Sequence, residues 1–202
     1  MALIAIDGPT GVGKSTTAHA VAEALGATLI LDPVSVSPLL DDYYTGQARP
    51  AAALEAELAF LHSRASLLAA PDFGRDDLAV SDFSVMRTAP FAEFLDNHAD
   101  YAAVLSEMYA TMRTGRRPDI LVLLTGQPTA LLSRVRSRDR SAEVDLTIEH
   151  LDALDGHFEM WRPHILRQAT GSFVVDTAEW DPRRPADLDD LVTRLRSMLE
   201  PS

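Results

Sequence analysis

The sequence predicts an α/β three-layer sandwich, a five-stranded parallel sheet with helices on both faces. Three observations carry that expectation. Five short runs, "ALIAI" (2–6), "ATLIL" (27–31), "LAVSD" (78–82), "DILVLLT" (119–125) and "SFVVD" (172–176), are almost wholly apolar and do not alternate, as strands covered on both faces require. Helical segments separate them, and a helix between two strands is the crossover that makes them parallel. The first run ends at Asp7-Gly8 and feeds a glycine-rich turn that opens directly into a helix.

Taken in order, the strand at 2–6 leads to a helix from about Lys14 to Leu25, and the second strand follows at 27–31. The next stretch, "DPVSVSPLLDDYYTGQARP", is punctuated by prolines and has room for one short helix around 39–44. It is long for a βα crossover, and long loops inside compact domains are more often functional than idle. "AAALEAELAFLHSRASLLAA" (51–70) is a long Ala/Leu helix closed by Pro71. After the third strand, 91–113 is mostly helical and ends near Gly115. The fourth strand is followed by helices at about 129–137 and 147–167, and the fifth by a final helix at 186–199.

A chain of 202 residues with 47% hydrophobic content fills one core, and no linker, repeat or low-complexity tract divides it, so 1–202 is expected to be a single domain. No apolar run approaches the roughly 20 residues that span a bilayer. The amino terminus lacks the basic start and cleavage site of a signal peptide, so a cytoplasmic protein with no membrane partner is expected. Zero cysteines exclude disulfides and thiolate metal sites. A net charge of -12 argues against a nucleic-acid partner, because neutralising phosphates needs a basic face. Anionic ligands must then be met by local positive charge.

Gly8-Pro9-Thr10-Gly11-Val12-Gly13-Lys14-Ser15 matches G-x-x-x-x-G-K-S/T between a strand and a helix, the context a P-loop requires. Lys14 is the sole lysine of the chain. Backbone N–H groups over Gly11, Val12, Gly13, Lys14, Ser15 and Thr16 are suited to cradle phosphates at a helix N-terminus. Lys14 reaches the β and γ phosphates, and Ser15 is a magnesium ligand. The fold expected is therefore the P-loop NTPase sandwich, with ATP and Mg2+ as cofactors. The N-K-x-D motif that reads guanine in switch proteins is absent, and Asp82 stands alone at its strand end without the Asp-Glu pair of motor ATPases. An isolated acid there organises magnesium through water or merely caps the strand.

Transfer to an alcohol needs a proton acceptor in line with the γ-phosphate. Ligands in open parallel sheets lie beyond the carboxyl ends of the strands, and strands one, two and three end at Asp7, Asp32 and Asp82. Asp32 is the candidate base; an Asx turn before Pro33 is the alternative use for it.

With these residues in view, the chain resembles the deoxynucleoside kinase family. "LDPV" (31–34) resembles the E-P-V of that family, "ELAFLHSR" (57–64) its Q-x-x-F-L-x-x-R, and "SDF" (81–83) the S-D-Y of bacterial members. "RVRSRDRSAEVDLTIEHL" (134–151) is similar to the lid pattern R-x-x-x-R-x-R-x-x-E. The resemblance implies Asp32 as general base, Glu57 at the base edge, Arg64 supporting the site and Tyr44 at the sugar. It also implies an Arg-rich lid at about 136–146, with Arg138 and Arg140 folding over the γ-phosphate and Glu143 pairing with them or touching the sugar. Phe91 is left as the ring to stack on the base, since Ala56 and Ala92 lie beside positions where the family often has an aromatic. A nucleoside substrate and a homodimer follow from the same likeness. Two departures matter. Asp32 is one methylene shorter than Glu, and Glu57 replaces an amide by an acceptor-only carboxylate, which favours an edge presenting donors such as guanine N1–H and N2–H2.

Other functions stay open at this level. A thymidylate-type monophosphate kinase needs Arg near the ends of strands two and three, yet Phe83 follows Asp82 and no Arg follows Asp32 until Arg49. A kinase of a non-nucleoside alcohol and a nucleotide-binding regulatory module are the remaining alternatives. The six histidines show no metal-ligand spacing.

Overall fold

The computed structural model describes residues 2–33, 50–69, 78–95, 102–138, 143 and 146–200. β1 (Ala2–Asp7) leads through the glycine-rich turn to α1 (Lys14–Leu25), which Gly26 ends in the left-handed conformation at φ 63°. β2 (Thr28–Ile30) follows, then α2 (Pro50–Ala69) and β3 (Leu78–Ser81). A 3-10 turn at Val85–Arg87 runs straight into α3 (Thr88–Leu95), and α4 (Ala102–Thr114) precedes β4 (Ile120–Thr125). α5 (Pro128–Ser137), α6 (Ile148–Leu166), β5 (Gly171–Asp176) and α7 (Pro185–Leu199) complete the chain.

The five strands form one sheet in the order β2-β3-β1-β4-β5, and every pairing is parallel, as the apolar runs predict. β1 is the central strand, and alternate residues send it to opposite faces. Ile4 and Ile6 join the core that contains Val21 of α1, Leu131 of α5 and Leu195 of α7. Leu3 points the other way, with Leu54 and Leu61 of α2 and Met108 of α4, and Ala5 packs with Phe91 of α3 and Phe158 of α6. Burial on both faces is why β1, β3 and β4 read as continuous apolar runs.

Two local expectations change. The helix expected over 91–113 is two helices, and the first begins at Thr88 because the 3-10 turn delivers the chain already wound. β2 is shorter than the apolar run 27–31, since Leu31 is 42% exposed past the last paired residue. The short helix expected around 39–44 lies outside the described residues. Among the described residues no helix is long and apolar enough to cross a membrane.

The turn after β1 is shaped by close backbone approach. Gly8 has φ 140°, and a Cβ there would stand 2.3 Å from the carbonyl oxygen of Leu124 in β4. Gly13 has φ 102° but open space around it. Both positions strain an L-residue; only Gly8 also collides with a strand that cannot move. Gly8→Ala is therefore expected to cost at least about 1 kcal/mol more stability than Gly13→Ala, the ordinary penalty of overpacking. Denaturant midpoints of the two variants measure the difference, and equal losses would contradict this account of the turn.

Candidate active site

The carboxyl ends of β1, β2 and β3 meet at the phosphate loop, because the strand order sets these three side by side. Asp7 is fully buried there and accepts from its neighbour Gly8 N (2.7 Å), Ser84 N (3.2 Å) and Ser84 Oγ (2.5 Å). It thus braces the start of the loop against the segment after β3. Gly11, Val12, Gly13, Lys14, Ser15 and Thr16 all line a cavity of about 640 Å³, as their motif predicts. Lys14 Nζ donates to Pro9 O at 2.7 Å, which holds the ammonium across the loop. Burial, with Arg87 in support, holds the Lys14 pKa well below the usual lysine range, against the pull of Asp7 and Asp82. A phosphate in the cradle restores the balance in favour of the charged form.

Asp82, the residue directly after β3, ties two elements together. Its Oδ2 accepts from Ser15 Oγ at 2.5 Å and its Oδ1 accepts from Asp32 N at 2.6 Å. One carboxylate therefore joins the first turn of α1 to the end of β2. Ser15 and Asp82 are hard oxygen donors side by side at the cradle, a set that fits magnesium, which keeps waters and substrate phosphates for its other positions. Among the described residues no three His, Asp or Glu side chains cluster as metal ligands. Magnesium shared with nucleotide phosphates needs no such cluster.

Asp32 lies two residues past β2, lines the cavity and faces two guanidiniums. Arg64 of α2 donates from Nε to both Asp32 oxygens at 3.2 Å, and its Nη2 stands 3.1 Å from Oδ2. Arg64 Nη1 donates to Glu57 Oε1 (3.0 Å), one helical turn-pair earlier on α2, and to Thr88 Oγ1 (3.0 Å) at the start of α3. Burial works against the charge on Arg64, but Asp32 and Glu57 outweigh it and raise its pKa. Glu57 is itself buried, and that burial pushes its carboxyl up while Arg64 and Arg87 pull it down. Spacing on one helix brings Glu57 and Arg64 together, two turns apart on the same face.

Arg87 is a residue the sequence reading missed. It closes the 3-10 turn after β3, with Nη1 3.7 Å from Asp32 Oδ2 and its guanidinium 5.1 Å from the Phe91 ring centroid. The positive charge at the end of β3 therefore comes not from the position after Asp82, where Phe83 is buried, but one turn later. A search for Arg within a full turn of each strand end would have found it. Phe91 stands beneath Arg87 and packs edge-on against Phe158 at 5.6 Å, and it does not line the phosphate cavity.

On the opposite side of the cavity, Arg138 caps α5 and holds Glu143 through two bonds, Nε to Oε2 (2.6 Å) and Nη2 to Oε1 (2.5 Å). Arg134, one turn earlier, donates to Val12 O and to both Thr177 Oγ1 and O, joining the loop to the segment after β5. Arg140 and Tyr44 lie outside the described residues.

A glycine-rich phosphate loop on the central strand of a parallel sheet, flanked by acids at the neighbouring strand ends and by arginines across the cavity, defines a P-loop phosphotransferase. The particular family is established by comparison: the family described as deoxynucleoside kinase matches residues 4–200, and the chain belongs to it. It is 24% identical over 164 residues to the deoxyadenosine/deoxycytidine kinase of Bacillus subtilis (strain 168), covering 79% of this chain and 76% of that one. It is 27% identical over 155 residues to the deoxyadenosine kinase of Dictyostelium discoideum, covering 75% of this chain and 62% of that one. With the deoxyguanosine kinase of Bacillus subtilis the identity is 23% over 183 residues, 89% of this chain and 87% of that one. The fold matches the structure of deoxyadenosine kinase from M. mycoides with products dCMP and a flexible dCDP bound, at a TM-score of 0.81 and 21% identity over 97% of this chain and 99% of that one. The chain is thus an enzyme, a kinase that phosphorylates a nucleoside hydroxyl.

The buried Glu57 makes stability depend on pH with a definite sign. A carboxyl raised in the folded state contributes stability that is present below its unfolded pKa and lost as pH rises through the folded one. Glu57→Gln removes that loss. The difference in unfolding midpoint between variant and wild type should therefore move in favour of the variant as pH rises from about 4 to about 8. A difference independent of pH would contradict the burial argument.

Proposed function

We propose that this enzyme transfers the γ-phosphoryl group of ATP, with magnesium, to the 5'-hydroxyl of a deoxynucleoside or a close analogue. The observation that carries the reading is the position of Asp32. A carboxylate held by Arg64 and backed through its own N–H by Asp82 stands at the wall of the same cavity that the phosphate loop lines. Asp32 takes the proton of the acceptor hydroxyl as the new O–P bond forms. Lys14 and Arg138 neutralise the charge on the nucleotide phosphates, and the lid over about 136–146, with Arg140, excludes water. Ser15 and Asp82 would hold magnesium, which would supply charge neutralisation to the phosphates.

On the acceptor side, Glu57 meets the base edge, Arg64 supports the site by holding Asp32 and Glu57, Tyr44 contacts the sugar and Phe91 is the ring for the base, while Glu143 acts by orienting Arg138. The related kinases differ in the deoxynucleoside they are named for, so the acceptor-only carboxylate of Glu57 is the feature that speaks to base choice, toward an edge of donors. The same reading has the chain act as one kinase domain, in the cytoplasm, as a homodimer.

Two substitutions test the assignment. Asp32→Asn should lower kcat by about 10²-fold or more while ATP binding changes by less than about threefold. Lys14→Ala should abolish transfer. An Asp32→Asn enzyme that turns over at the wild-type rate would remove Asp32 as the base, and retained transfer in Lys14→Ala would defeat the cradle.

A further inference from the structure

Among the described residues, Arg87 is the cation of the phosphate cavity whose hydrogen-bonding capacity the fold leaves unused. Lys14 is bonded to Pro9 O, Arg134 to Thr177 and Val12, and Arg138 to Glu143, while Arg183 is spent on Asp181. Arg87 lines the same cavity, is 7% exposed, and makes no hydrogen bond from its guanidinium; its Nε is fully shielded and without a partner. Its ion-pair contact, Asp32 at 3.7 Å, is longer than a hydrogen bond, and both oxygens of that carboxylate already accept from Arg64. A buried guanidinium with unmet donors is costly, so a side chain of this kind is kept where an anion completes it.

The place of that anion follows from the neighbours. Lys14, Arg87 and Arg138 all line the one cavity, so the three cations face a common region beside the loop. Arg138 reaches it from the far side of the cavity and Lys14 from the nucleotide side. Arg87 reaches it from the side of Asp32, where the acceptor hydroxyl must lie if Asp32 is to take its proton. The planar fork of Arg suits phosphate oxygens in a way a point charge does not.

We infer that Arg87 is a further catalytic residue, which binds the phosphoryl group from the acceptor side during transfer and holds it afterwards on the product. In the step, the acceptor oxygen forms a bond to Pγ as the bond from Pγ to the β-γ bridging oxygen breaks. The hydroxyl proton passes to Asp32, and ADP leaves with the electron pair of the broken bond. The free donors of Arg87 bind the non-bridging oxygens throughout. The inference rests on the kinase reading for the identity of the acceptor. Its own signature is separate: a nucleoside monophosphate should bind more tightly than the nucleoside it comes from, and Arg87 should account for the difference.

The experiment compares wild type, Arg87→Met, which keeps the apolar cover over Phe91, and Arg87→Lys, which keeps the charge without the fork. Each is checked for its unfolding midpoint. Binding of the four deoxynucleosides and their 5'-monophosphates is measured without ATP, and turnover with ATP and magnesium. The wild type should prefer a monophosphate over its nucleoside by about tenfold or more, a preference that Arg87→Met loses. In Arg87→Met kcat should fall about 10²-fold with the nucleoside KM within about threefold, and Arg87→Lys should recover about a tenth of the wild-type rate. A kcat within threefold of wild type, or equal weakening of nucleoside and monophosphate, would overturn the inference. If Arg87→Met fails to fold, the same two readouts on Arg87→Lys decide. If the wild type phosphorylates no nucleoside, the kinase reading fails on its own. The binding arm then still judges Arg87, with no preference for monophosphates overturning its role. Conversion of monophosphates to diphosphates would overturn it as well, since Arg87 would then hold an acceptor phosphate and not the transferring one.

Discussion

The ion network around Arg64 is the constraint on which the site depends. Arg64 is the largest fully buried side chain among the described residues, and a guanidinium in that position has to be surrounded by acceptors. Its donors are divided between the strand end and the helices: Asp32 after β2, Glu57 on its own helix and Thr88 at the start of α3. Asp32 is thereby fixed in orientation by a group that belongs to the opposite layer of the sandwich. Removing Arg64 would leave two carboxylates facing each other in the interior with only Arg87 nearby, and such uncompensated burial is far costlier than the pair itself is stabilising. Since one guanidinium serves two acids, burial prevails at Glu57 and pushes its carboxyl up.

A second tie, through Asp82, sets Asp32 against the phosphate loop. Its two oxygens reach Ser15 on α1 and the backbone of Asp32, so the acceptor-side base and the loop that holds the donor phosphates share one brace. The sheet order supplies the frame. β3 stands between β2 and β1, which places Asp82 between the ends that carry Asp32 and the glycine-rich turn. Proximity of donor and acceptor is then a property of rigid strand ends, the arrangement in which positioning contributes most to rate.

Much of this was legible in the sequence, for physical reasons that differ by element. The phosphate loop was, because close approach of Gly8 to β4 and a left-handed Gly11 are backbone demands that only particular residue types satisfy. The inner strands β1, β3 and β4 were, because burial on both faces removes any polar alternation. The pairing of Glu143 with Arg138 was anticipated as one of two uses for that acid, and it is the one the structure shows. Arg134 and Arg138 are four residues apart, and because α5 runs through Ser137 they stand one turn apart toward the cavity. Arg87 escaped notice because the turn that aims it is neither strand nor α-helix, and no repeat in the residues from Asp82 to Thr88 announces which side chain returns to the site. Phe91 was expected at the base; its ring is engaged below Arg87, a contact that depends on the same turn.

The central claim is that a nucleotide phosphate loop and an acceptor-side carboxylate, locked together through Asp82 and Arg64, pass a phosphoryl group to a nucleoside hydroxyl. The most direct measurement is to incubate the wild-type protein with ATP, magnesium and each deoxynucleoside and to follow ADP and phosphorylated nucleoside together by mass spectrometry. The account predicts that the two products appear in equal amounts and only when an acceptor is present. ADP released at the same rate without acceptor, with no phosphorylated nucleoside, would contradict it.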